Sequence, residues 1–98
     1  MDWDSINTIE EASATMQPDT VKRLNFRGLE LTQIPSVVYR FKNLVALSLD
    51  DNYLTSIPKN LKTLKKLTFL SMDHNFVTDD SISFTRNKKI QYLKLRYN

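Results

Sequence analysis

An apolar pattern that returns every 23 residues decides most of what this chain can fold into. Val21, Leu44, Leu67 and Ile90 open four similar blocks, 21–43, 44–66, 67–89 and a partial 90–98, which align without gaps. Read as L-x-x-L-x-L-x-x-N-x-L, the first gives Val21, Leu24, Phe26, Leu29 and Leu31, and the second gives Leu44, Leu47, Leu49, Asn52 and Leu54. The third gives Leu67, Leu70, Met72, Asn75 and Val77, and the last Ile90, Leu93, Leu95 and Asn98. Only Leu29 departs, standing where the other blocks carry Asn. All twelve leucine-type positions of the three complete blocks are apolar. At a hydrophobic content of 41%, chance would give that about once in 40,000.

The alternation of Leu24 with Phe26, Leu47 with Leu49 and Leu70 with Met72 has period two, so each pair faces inward from a short strand while its neighbours face out. One such block cannot bury its own leucines, and stacking against the next is the way to close a core. Over residues 21–98 the pattern resembles the leucine-rich-repeat family, most specifically in its two middle blocks. The resemblance implies a short α/β solenoid with a parallel sheet on a concave side and short helical or 3-10 segments on a convex side. It also implies an inward ladder in which Asn52, Asn75 and Asn98 hydrogen-bond backbone groups of adjoining repeats.

The convex segments open at Ile34-Pro35 and Ile57-Pro58, where proline starts a helical turn without sacrificing a needed N–H. Val38 and Phe41, then Leu61 and Leu64, follow at helical spacing and are expected in the core. The third block carries Asp80-Ser81 in place of Ile-Pro, so 76–82 reads as a cap leading into a helix, with Ile82 and Phe84 replacing the lost core residues. Residues 1–20 lie outside the repeat and are expected to cover its first block as an N-terminal helical cap. Thr8-x-x-Glu11 forms a capping box for a helix over Ile9 to Met16, which Gln17-Pro18-Asp19-Thr20 ends with a turn. Trp3, Ile6, Ile9 and Met16 supply its apolar surface. At the other end Ile90, Leu93 and Leu95 have no following segment to cover them. The expectation is either a fragment of a longer protein or a homo-oligomer in which self-association protects the strand edge.

Composition narrows the function. One Gly excludes phosphate- and dinucleotide-binding loops, and zero Cys removes thiol nucleophiles and disulfides. The single His74 has only nearby Asp residues as companions, so no enzyme activity, metal or cofactor is expected. The acidic start and the lack of a long apolar run argue against secretion or membrane insertion and suggest the cytoplasm. The net charge of +3 divides into −5 over residues 1–20 and +8 over the rest.

Outward positions should form columns across the sheet: Arg23, Ala46, Phe69 and Tyr92; Asn25, Ser48, Ser71 and Lys94; Arg27, Asp50, Asp73 and Arg96; and, at the strand exits, Gly28, Asp51, His74 and Tyr97. Adjacent exposed Phe69 and Tyr92 point to partner binding, because aromatic and Arg side chains dominate interface hot spots. The resemblance implies the same face. The expected site is Arg23, Arg27, Asp50, Phe69, Asp73, Tyr92 and Arg96, with the aspartates as a charge filter. The expected role is that of an intracellular protein-recognition adaptor. The alternative is polyanion binding, to nucleic acid or acidic lipid, through convex Lys59, Lys62 and Lys66, in a stripe with Lys65, Arg86, Lys88 and Lys89. That stripe has no interleaved aromatics for base stacking, so nucleic acid and membrane stand behind protein as partners.

Overall fold

The computed structural model describes residues 5–78 and 90–98. Among the described residues five strands form one parallel sheet in chain order: β1 (Ser5–Ile6), β2 (Arg23–Asn25), β3 (Ala46–Ser48), β4 (Phe69–Ser71) and β5 (Tyr92–Lys94). From β2 onward the register is the period itself. Arg23 pairs with Ala46, Ala46 with Phe69 and Phe69 with Tyr92, and the next two positions of each strand follow in step. The expected columns are therefore the observed ones along the strands.

Leu24, Phe26, Leu47, Leu49, Leu70 and Met72 all point into the core and are buried. Opposite them lie two 3-10 turns, Ser36–Arg40 and Lys59–Thr63, which contribute buried Val38, Phe41, Leu61 and Leu64. Each fully buried side chain of this size contributes about 1.5–3 kcal/mol, so the stacked blocks supply the folding energy that one block lacks. Pro35 and Pro58 stand at the N-cap, one residue earlier than a proline that opens the turn itself. Their carbonyls accept from the N–H groups of Val38 and Leu61, an acceptor role that needs no N–H of proline's own.

The Asn ladder is present. Asn52 Nδ2 donates to the carbonyls of Phe26, Leu49 and Asp50, and its Oδ1 accepts from the N–H groups of Leu29 and Leu31. Asn75 reaches the Leu49, Met72 and Asp73 carbonyls and the Leu54 N–H. Asn98 reaches Met72, Leu95, Arg96 and Val77 in the same way. Leu29, in the Asn place of the first block, packs against the core, and its turn is held by Asn52 from the next block.

The amino-terminal segment does more than its sequence suggests, since β1 adds a strand by pairing Ser5 with Arg23 and Ile6 with Leu24. The helix α1 (Ile9–Ala14) begins at Thr8, whose hydroxyl accepts from the Glu11 N–H at 3.1 Å. The Glu11 carboxylate accepts from the Asn7 N–H at 3.4 Å, one residue before the group a standard capping box engages. The helix stops at Ala14 and not at Met16, because Thr15 is extended and its hydroxyl accepts from the Gln17 N–H. Met16 is consequently exposed, whereas Ala12 is buried and Ile6 and Ile9 pack on the core. Trp3, Ile82 and Phe84 lie outside the described residues. Among the described residues no helix is long and apolar enough to cross a membrane.

Candidate functional site

The solvent face of the sheet, the one expected to be concave, carries the predicted aromatic pair. Period-two alternation turns Phe69 and Tyr92 outward from β4 and β5, and parallel pairing in register sets their rings 6.5 Å apart at a tilt of 42°. Tyr92 is 63% exposed and Phe69 half-buried. Lys94, two residues along β5, holds its ammonium 5.8 Å from the centre of the Phe69 ring, within cation–π range.

The third column is a second ladder that sequence reasoning did not find. Asp50 Oδ1 accepts from the Ser71 hydroxyl at 2.6 Å and from the Asp73 N–H at 2.8 Å. One block on, Asp73 Oδ1 accepts from the Arg96 N–H at 2.8 Å, and its Oδ2 takes the Arg96 Nε and Nη2 at 3.2 and 3.0 Å. The open acidic rim expected of Asp50 and Asp73 is thus largely drawn into the sheet: Asp73 is buried and Asp50 half-buried. Burial pushes the Asp73 carboxyl up, but the Arg96 hydrogen bonds and charge, with Lys94 adding to them, outweigh it and hold the group below the usual carboxylate range. The same pairing raises Arg96.

Arg27 makes the other described ion pair of the face, its Nε 2.6 Å from Asp51 Oδ2. In both pairs the cation faces water more than the anion does. Arg96 and Arg27 side chains are each 68% exposed, against 7% for Asp73 and 36% for Asp51.

At the strand exits Gly28, Asp51, His74 and Tyr97 all have φ between 58° and 67°. The residue that follows this left-handed turn is Asn in three of the blocks, buried at Asn52 and Asn75 and exposed at Asn98. His74 and Tyr97 stack there at 4.4 Å. Tyr53 and Phe76, just past the ladder Asn residues, stack at 6.2 Å and 7° and are both exposed. Sequence reasoning missed this second pair because it lies off the strands, although its 23-residue spacing was visible. Among the described residues no three Asp, Glu or His side chains converge as metal ligands.

On the opposite side Lys59, Lys62 and Lys66 are exposed, on and just after the second 3-10 turn, while Arg86, Lys88 and Lys89 lie outside the described residues. The neighbouring turns are joined by Tyr39, whose hydroxyl donates to Asn60 Oδ1 at 3.0 Å. Burial raises its pKa.

An in-register parallel sheet, buried Asn ladder and opposing 3-10 turns define a leucine-rich-repeat solenoid, and that is how this chain folds. A solved structure of a leucine-rich-repeat protein of Leptospira interrogans matches it with a TM-score of 0.73 at 24% identity. The match covers 100% of this chain and 24% of that one, so the chain spans about a quarter of the length of the protein it matches. No protein-family model matches the sequence, and no curated protein does.

Proposed function

We propose that the chain is a cytoplasmic protein-recognition module, without enzyme activity of its own, that takes a partner on the solvent face of its sheet. The observation that carries this reading is the Phe69–Tyr92 pair, two rings in contact on a rigid sheet with Tyr92 largely exposed. Aromatic anchors at the centre of a contact surface with Arg around them are the residue types that dominate binding energy. Arg96 follows Tyr92 on the last strand, while Arg23 and Arg27 stand two strands from Phe69, on β2 and just past it, with Asp50 and Asp73 between Arg27 and Arg96.

The test is capture of partners from the source lysate with the wild-type chain, with Phe69→Ala and Tyr92→Ala, and with a triple Lys59, Lys62, Lys66→Ala chain. A partner lost with either aromatic and retained by the triple variant supports the reading. A partner that follows the three lysines and disappears at moderate salt instead supports polyanion binding through the 3-10 turn side.

A further inference from the structure

Sequence alone places acid at the middle of the sheet face, which would select a basic partner; the geometry reverses that sign. Asp73 lies under Arg96, and Asp50 is held by the Ser71 hydroxyl and the Asp73 N–H. Both described ion pairs of the face expose the guanidinium more than the carboxylate. Lys94 makes no described ion pair and stands over Phe69. An approaching molecule therefore meets the Phe69 and Tyr92 rings beside the Lys94 ammonium and the exposed Arg96 guanidinium, with the Asp73 carboxylate buried.

We infer that the partner segment is an acidic peptide carrying an apolar side chain, the apolar group seated against Phe69 and Tyr92 and its flanking carboxylates held by Lys94 and Arg96. This rests on the sheet face being the recognition surface. A peptide fits better than a single-stranded nucleic acid. The rings are tilted by 42° and Phe69 is half-buried, so they offer no flat platform for successive bases.

Two synthetic peptides make the test, Glu-Glu-Leu-Phe-Glu-Glu and Lys-Lys-Leu-Phe-Lys-Lys, both blocked at their ends and titrated into the full chain while backbone amide resonances are followed. The glutamate peptide should shift Phe69, Tyr92 and Lys94, bind about tenfold more tightly than the lysine peptide, and weaken between about 50 and about 300 mM salt. Lys94→Glu should invert the preference and Lys94→Met should abolish it, with the fold retained, read as unshifted amide resonances in β2 and β3, because Lys94 is exposed. Equal or better binding of the lysine peptide at Phe69 and Tyr92 would overturn the charge assignment and leave the recognition face intact. Shifts confined to Lys59, Lys62 and Lys66, or no shifts with either peptide, would overturn both. Displacement of the bound glutamate peptide by a lower concentration of oligouridylate would show that the partner is nucleic acid.

Discussion

The guanidinium of Arg40 donates to the carbonyl of Ala12 at 2.7 Å, tying the last turn of α1 to the first 3-10 turn of the solenoid. It also reaches the Ser13 and Thr15 carbonyls, so one cation satisfies groups a helix end leaves without partners and sits at the negative end of the helix dipole. Arg40→Met should therefore cost about 1–2 kcal/mol and speed amide exchange in α1 more than in β3. Unchanged exchange in α1 would show that helix packing alone holds the segment.

The Asn ladder should show the value of burial. Asn75→Ala leaves the Leu54 N–H and the carbonyls it serves in a dry interior and should cost about 3 kcal/mol or more, read as a lower urea midpoint at constant slope. Asn98 makes the same bonds at an exposed position, where water can replace them, and Asn98→Ala should cost about 1 kcal/mol. Equal losses at the two sites would mean that geometry, and not desolvation, sets the cost.

Asp73 gives a pH signature. Its folded carboxyl titrates below its unfolded value, so its charged bonds contribute stability that is present above pH of about 4 and is lost as pH falls through the lower folded value. Asp73→Asn keeps an oxygen for the Arg96 N–H but removes the charge. At neutral pH it should melt below the wild type, and the two melting curves should converge below pH of about 4. A gap independent of pH would assign the loss to packing.

Gly28 isolates backbone strain from side-chain crowding, since its φ is +67° and nothing lies within 4 Å of where a Cβ would stand. Gly28→Ala should cost about 1 kcal/mol in thermal unfolding, whereas Gly28→Asn should cost less, because Asn tolerates the left-handed region. Equal costs would point to the unfolded chain as the source.

The repeat, its register and the buried residues of the 3-10 turns were legible because each follows from apolar period, and the Asn ladder because the family resemblance implied it for the Asn at one fixed place. The strand at Ser5–Ile6 was not, since two residues are too short to display a period and the strand forms only because β2 offers it an edge. The roles of Asp50 and Asp73 were hidden for another reason. Side-chain type and outward direction mark them as surface acids, but whether a carboxylate meets water or the next strand's N–H depends on how far the neighbouring strand stands away. The adjacency of Phe69 and Tyr92, by contrast, follows from the period and the register alone.

The Asn and Asp bonds that join one block to the next all span 21 to 26 residues. Each joint is therefore written in a single unit of sequence and its immediate successor. A tandem copy of residues 44–66 would bring its own Asn and Asp to the new boundary and find the matching backbone groups on either side. Genes for such chains can thus lengthen or shorten by unequal recombination in whole units without redesigning a seam. Loss of a single residue between a strand and its Asn would put the two out of step and break the Asn bonds across that seam.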